Sequence, residues 1–320
     1  MNSGHPLRLI SWNLHLLPTA TRLHERVEQV AERVLKPPHA DFLLFQEVWL
    51  PGLARTLAER LDDVYMPVVL PTGWFPGGRG GLSSFVRRES GWQVTANSFE
   101  PFTTEGPSWR IWEGDGFADK GIERFEVRRD GEVIVLMNTH LQAQYGRRTY
   151  REVRQAQLAQ LSRAAQREDP TVPLLAAGDL NTEPGDSLYA GLTSVWSDPT
   201  ASFRRRCGCG TVPLEPHEVG VQKSPWIDYV LVRESPRWKV QIHNITLLES
   251  RAPDDPYSDH HGIELALTLE PRESAVLLLG MVGCRGLREP STRRDWLSSA
   301  GCLALAAWMG GVRLPRILGR

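Results

Sequence analysis

The chain has 320 residues, enough to bury a core in one large domain or two small ones. Its 37 Lys and Arg nearly cancel 38 Asp and Glu, so no overall basic field points to nucleic acid, although a local basic patch fits that balance. Cys207, Cys209, Cys284 and Cys302 make no disulfide framework for a chain this size, a lone Cys-x-Cys is a poor zinc site, and the opening "MNSGHPLRLISWNLHLLP" lacks the pattern of a secretory signal, so a reduced cytoplasmic protein is expected.

Strand-like runs recur along the chain at 7–13, 41–48, 81–88, 124–141, 172–180, 226–233 and 263–269. Asp130-Gly131 divides the fourth run into a hairpin. Between these runs lie helical patterns. In 19–36, Leu23, Val27, Val30 and Val34 recur at three- and four-residue spacings and form one apolar stripe. The stretch 150–166 repeats that character with Val153, Leu158 and Leu161. Loops 71–81 and 252–262 are rich in Gly and Pro. Strands mixed with helices, without a long linker before residue 270, predict a single α/β or α+β domain over 1–270. Residues 271–320 form an apolar, Arg-containing tail with two apolar runs, 275–283 and 296–312. The first run is too short to span a bilayer and the second is at the lower margin, so a packed helix, a poorly ordered end and an interfacial segment all fit.

The polar residues of interest fall where strands meet loops. Asn13 follows "LISW", Glu47 follows "LLFQ", and His140 follows "LMNT". Asp179 and Asn181 follow "LLAAG", Asp228 lies in "WIDYVLV", and Asp259 with His260 precede the last strand. Singly, each reads as a turn or cap residue. Glu47 is harder to dismiss, because an unpaired carboxylate in an apolar run costs several kcal/mol, roughly. As a set they form a chemistry. Asn13, Glu47 and Asp259 offer the oxygen ligands preferred by a hard cation, Mg²⁺ or Mn²⁺. His140 and His260 titrate near neutral pH, Asp228 can orient an imidazole, and Asp179 with Asn181 can align water or hold phosphate oxygens. The combination describes metal-assisted hydrolysis of a phosphoester.

The segments "SWNLH", "LLFQEVW", "NTHLQAQY", "GDLNTEP", "IDYVLV" and "SDHHG" occur in the order expected of the endonuclease/exonuclease/phosphatase superfamily, and the chain resembles that family over about residues 7–269. The resemblance implies a DNase I-like four-layer sandwich, two packed β-sheets flanked by helices, with the site at one end of the sheets. It also implies Mg²⁺ bound by Asn13 and Glu47 with Asp259 nearby, and His260 as general base oriented by Asp228. His140 and Asn181 would hold the phosphate, and Asp179 would position the attacking water. His261 would be a neighbour without a chemical role.

Two further segments are similar to sphingomyelinase-type phospholipases C. They are "HLQAQY" and "GDGFADKG", in which Asp115 and Lys120 match an Asp-x4-Lys pattern whose lysine is implied to reach the phosphate. A surface ion pair is the plain alternative for that spacing. Trp74, Phe75, Trp109 and Trp112 in neighbouring loops suit a lipid interface, though tryptophan is more often core. The expected substrate is therefore a phosphodiester lipid such as sphingomyelin, met at a membrane surface by a monomer without a protein partner. The chain departs from secreted bacterial members by lacking a secretion signal, and from membrane-anchored ones by its short tail. A DNase-like nuclease using the basic stretches 145–154 and 203–210, or another phosphoesterase of the same superfamily, is the first alternative, and a non-catalytic binding module is the second.

Overall fold

The structure is a computed structural model; it describes residues 6–69, 78–107, 119–145, 149–213, 224–249 and 258–272. In chain order the elements are β1 (Pro6–Leu16), α1 (Leu23–Val34), β2 (Phe42–Val48), α2 (Pro51–Leu61), β3 (Tyr65–Pro67), β4 (Ser83–Arg87), β5 (Gln93–Pro101), β6 (Gly121–Arg129), β7 (Glu132–His140), α3 (Arg151–Arg167), β8 (Leu174–Asp179), α4 (Ser187–Thr193), α5 (Thr200–Cys207), β9 (Asp228–Arg233), β10 (Trp238–Leu248) and β11 (Gly262–Pro271). Met1–Pro271 forms one compact unit. Of the tail, only Pro271 and Arg272 are described. Among the described residues no helix is long and apolar enough to cross a membrane.

Two mixed sheets carry the fold. One has the order β10-β11-β1-β2-β4-β3 and the other β5-β6-β7-β8-β9. β1 pairs parallel with β2, and β7 with β8; every other named pair is antiparallel. The parallel pairs sit in the sheet interiors, where long apolar runs such as "LLAA" are buried on both faces.

Strand alternation explains the layers. On β1, Leu7 and Leu9 join the core shared by the two sheets, whereas Ile10, Trp12 and Leu14 pack on the helices. On β2 the same division separates Phe42 and Leu44 from Leu43 and Phe45. The stripe Val27, Val30 and Val34 of α1, with Leu53, Leu57 and Leu61 of α2, covers the outer face of this first sheet. Leu158 and Leu161 of α3 join the larger core, which holds Phe125, Leu136, Leu175 and Val230 of the second sheet. The β6–β7 hairpin turns at Asp130 and Gly131, both at positive φ (50° and 83°), as a two-residue turn matched to strand twist requires.

The expected α/β sandwich is present, with more elements than the sequence pattern reveals. β3, β5 and β10 and helices α2, α4 and α5 were not anticipated. β5 and β10 lie at sheet edges and show mostly exposed or half-exposed residues, so neither carries an apolar alternation. The expectation of a fully reduced chain also needs correcting, because Cys207 and Cys209 are joined by a disulfide at the end of α5.

Candidate functional site

The polar residues singled out in the sequence converge at one end of the two sheets. Asn13 and Glu47 come from the ends of adjacent strands β1 and β2, His140 and Asp179 from the parallel pair β7 and β8, and Asp228 from the start of β9. His260 stands just before β11. His140 lies opposite Asp179 and Asp179 opposite Asp228 in the strand register.

Local backbone departures aim these groups. By alternation Glu47 would share the helix-facing side with Leu43 and Phe45, but its φ of 59° breaks that alternation and lets its carboxylate meet Asn13. His15 (φ 49°) and Asn181 (φ 46°) depart in the same sense. Such left-handed residues cost of order 1–3 kcal/mol each and concentrate where the surrounding structure holds them for function.

Asp179 is the hub. Its Oδ2 accepts a hydrogen bond from Asn13 Nδ2 (3.1 Å) and lies 3.5 Å from His140 Nε2 and 3.8 Å from His260 Nε2. Its Oδ1 accepts the Asn181 backbone N–H at 2.9 Å. Glu47 Oε1 accepts from Asn13 Nδ2 at 3.0 Å and lies 3.8 Å from His140 Nε2. Lys120 is 1% exposed and donates from Nζ to His140 Nε2 (3.1 Å) and to the Leu141 carbonyl (2.8 Å). The Leu141 carbonyl also accepts from Asn181 Nδ2 at 3.2 Å. His260 Nδ1 meets Asp228 Oδ2 at 2.8 Å.

Electrostatics separates these groups. Burial, reinforced by Asp259, pushes the Glu47 carboxyl up to about 7. Burial and the facing Asp228 carboxylate likewise raise Asp179. His140 is held well below the usual imidazole value by burial, then by Lys120 and His260. Burial opposes charge on His260 as well, but Asp228, Asp179 and Asp259 outweigh it and raise His260 well above its ordinary value.

Among the described residues, two overlapping groups have the geometry to hold a divalent cation: Glu47, His140 and Asp179, and Asp179, Asp228 and His260. The residues fit a cation on independent grounds. Glu47 Oε2 and Asp228 Oδ1 are buried without a hydrogen-bond partner among the described residues, an arrangement costly unless a positive charge neutralises them. The expected ligand set of Asn13, Glu47 and Asp259 is only partly brought together. Asn13 turns its amide nitrogen toward the carboxylates, while its Oδ1 accepts the His15 backbone N–H at 3.0 Å. Asp259 is half-exposed, lies outside both groups, and has its Oδ2 3.2 Å from His15 Nδ1.

Asp115 and the loop aromatics Trp74, Phe75, Trp109 and Trp112 lie outside the described residues. Gln142 of "HLQAQY" accepts the Gly106 N–H at 3.0 Å and donates its own N–H to Gln157 Oε1 at 2.8 Å, so it pins the turn after β7 to α3. His261 donates its N–H to the Thr211 carbonyl.

Several contributors escaped the sequence reading. Ser258 donates to the Asn13 carbonyl (2.5 Å) and accepts the His260 N–H (3.1 Å), tying the two ends of the site. Thr211 Oγ1 accepts the N–H groups of Ile227 and Asp228. Arg26, inside α1, is 8% exposed, leaves Nε and Nη1 without hydrogen bonds, and faces the charges of Asp259 and Glu47. A Ser before the Asp-His pair was visible as part of "SDHHG"; an arginine in a helix pattern carried no signal.

Comparison with known proteins agrees with this architecture. An inositol phosphosphingolipids phospholipase C of Schizosaccharomyces pombe is 30% identical over 196 residues, 59% of this chain and 44% of that protein. Sphingomyelin phosphodiesterase 2 of Mus musculus is 25% identical over 293 residues, 83% of this chain and 66% of its own. The chain thus spans 44% and 66% of the lengths of these two relatives. A crystal structure of D. rerio TDP2 complexed with single strand DNA product superposes with a TM-score of 0.63 at 18% identity, covering 82% of this chain and 99% of that one. The latter likeness shows the shared fold. The two acid–histidine groups on this fold are those of a metal-coordinating hydrolase and are consistent with phosphodiester cleavage. Residues 10–260 match the Endonuclease/Exonuclease/phosphatase family, and the chain belongs to it.

Proposed function

We propose that this chain is a Mg²⁺-dependent phosphodiesterase acting on a sphingolipid-type phosphodiester, sphingomyelin foremost, in the manner of a phospholipase C. The observation that carries the reading is the pairing of a buried Asp228–His260 dyad with Lys120 and His140 across a shared Asp179. In this reading His260 Nε2 takes the proton of the attacking water, while Asp228 holds Nδ1 and keeps the ring oriented. Asp179 and Asn181 position that water. His140, Asn181 and Lys120 face the phosphate oxygens, where the Lys120 cation offsets charge that develops in the transition state. Glu47 and Asp179 would supply carboxylate oxygens to the metal, with Asn13 and Asp259 beside them. The bound ion would polarise the phosphoryl oxygen and offset its charge. The sphingolipid preference draws support from the names of the two relatives above and from the buried lysine of "GDGFADKG".

A nuclease is the second reading, favoured by the likeness to a fold solved with a DNA product and by exposed Arg205 and Arg206 on α5. The nearly balanced charge of the chain argues against it. A non-catalytic binding module is disfavoured, because it has no need of a buried carboxylate–imidazole pair beside orphaned carboxylate oxygens. One panel separates the three: turnover of sphingomyelin, lysolipids, inositol phosphates and plasmid DNA, each with Mg²⁺, with Mn²⁺ and with chelator. Chelator-sensitive release of phosphocholine from sphingomyelin supports the first reading. DNA cleavage without lipid turnover supports the second, and binding without turnover of any substrate supports the third.

A further inference from the structure

Glu123 lies on β6 between the two sheets, 1% exposed, where burial raises its carboxyl above the ordinary value and Ser84 and Arg79 oppose that rise. Its compensation runs in two directions. Toward the first sheet, Ser84 Oγ donates to Glu123 Oε2 at 2.6 Å. Asn138 Nδ2 donates to Ser84 Oγ (3.1 Å) and to the Phe45 carbonyl (3.0 Å), and Gln46 Nε2 donates to Asn138 Oδ1 (2.8 Å). The chain of donors thus runs from Gln46 to the Glu123 carboxyl, whose Oε2 accepts at its end. Gln46 precedes Glu47, and Asn138 stands on β7 near its end at His140.

In the other direction stands Arg79, whose Nη1 is 3.7 Å from Glu123 Oε1 and whose Nη2 donates to Asn97 Oδ1 at 3.4 Å. Arg79, Gly80 and Gly81 form a left-handed turn, with φ of 58°, 63° and 69°. That conformation is costly for arginine and needs holding. The turn leaves no space on either side. A Cβ at Gly80 would sit 3.1 Å from both the Asp119 carbonyl oxygen and the Lys120 Cα, and one at Gly81 would sit 2.8 Å from the Trp49 ring. The turn is therefore a wedge between the backbone of Lys120 and the segment that follows Glu47.

We propose that Arg79 and Glu123 are a positioning pair for the reaction. Glu123 anchors Arg79, Arg79 holds the wedge against the Lys120 backbone, and the wedge keeps the ammonium on His140. The kinetic consequence rests on the phosphodiesterase reading above; the structural consequence does not. An ion pair of purely structural value would lower stability without favouring one catalytic group, so the test must read Lys120 specifically.

The side chain of Arg79 is one-third exposed and faces the buried Glu123, so Arg79→Ala is compared with wild type in thermal melts and its kinetics are read well below its melting temperature. With bis(p-nitrophenyl) phosphate and Mg²⁺, Arg79→Ala should lower kcat about tenfold, with KM and half-saturating Mg²⁺ within about twofold of wild type. Arg79→Lys should recover kcat to within about threefold of wild type. In a Lys120→Ala background, Arg79→Ala should lower kcat by less than about twofold further, because the group it positions is gone. Unchanged kcat in Arg79→Ala, or the same tenfold loss in both backgrounds, overturns the proposal. A second arm needs no turnover: in histidine ring NMR spectra, Arg79→Ala should shift the His140 resonances and leave those of His260 in place. Unmoved His140 resonances overturn the pair even if the wild-type protein hydrolyses nothing, whereas an inactive wild type with shifted His140 overturns only the phosphodiesterase reading.

Discussion

His140 and His260 are the same side chain, both deeply buried and both within 4 Å of one oxygen of Asp179, yet their proton affinities are shifted in opposite directions. His140 faces Lys120, and burial, then that cation, lower its proton affinity. His260 faces Asp228, Asp179 and Asp259, and these carboxylates raise its proton affinity despite burial. The lesson is that role here is set by the partner rather than by residue type or depth. One imidazole has its affinity for a proton strengthened and the other has it weakened beside a cation, the divergence on which acid–base sites rely.

The largest break in this comparison should come from His260→Ala. Loss of a general base costs on the order of 10²–10⁴ in rate, and kcat on sphingomyelin should fall by that factor with circular dichroism unchanged. His261→Ala should change kcat by less than about threefold. Asp228→Asn should lower kcat about 10²-fold, because the imidazole loses its orienting acceptor. It should also move the acidic limb of the kcat/KM profile to lower pH, since removing an anion lowers the His260 pKa.

Lys120→Ala probes the other imidazole. It should reduce lipid turnover about 10²-fold, the scale for one group that stabilises transition-state charge, with calorimetric Mg²⁺ affinity little changed. Removing the cation should also raise the His140 pKa, readable by NMR titration of the metal-free protein. A surface ion pair would give neither effect.

Glu47 sharpens the electrostatic side. Its folded pKa, about 7, lies above the ordinary carboxyl value, so the metal-free fold binds this proton more tightly than the unfolded chain does. The associated stability is fully present below the unfolded value of about 4.3 and is lost as pH rises to about 7. Glu47→Gln should therefore stabilise the metal-free protein at pH 8 by at most about 4 kcal/mol in denaturant melts, while abolishing most Mg²⁺ affinity. Wild-type Mg²⁺ affinity should rise with pH through about 7, because the cation must displace that proton. The smallest effect should come from truncation after Arg272, which removes no residue of the site. Hydrolysis of detergent-dispersed lipid should stay within about twofold, and vesicle binding should weaken if the tail lies at an interface.

Much of the site was legible because its residues interrupt apolar runs. Glu47 after "LLFQ" and Asp179 after "LLAAG" are polar groups at the ends of buried strands, a conflict visible without coordinates. Asp228 and His260 were paired in advance by motif order, and the structure places them 2.8 Å apart. What could not be read depends on which faces meet across the sheets. Gln46, Ser84, Glu123 and Asn138 lie on four different strands, and only sheet packing makes them one hydrogen-bonded chain. The positive φ of Glu47 was likewise invisible, because strand alternation predicts the opposite face for it. The orientation of Asn13 followed from its neighbours: two carboxylates attract its amide nitrogen, where the sequence suggested an oxygen ligand.

The most direct test of the account is phosphocholine release from sphingomyelin vesicles by the full chain and by His260→Ala, each with Mg²⁺ and with chelator. The account predicts release by the wild-type protein only with Mg²⁺, reduced at least about 10²-fold in the variant. Release that persists in chelator, or a folded His260→Ala variant with near wild-type turnover, would contradict it.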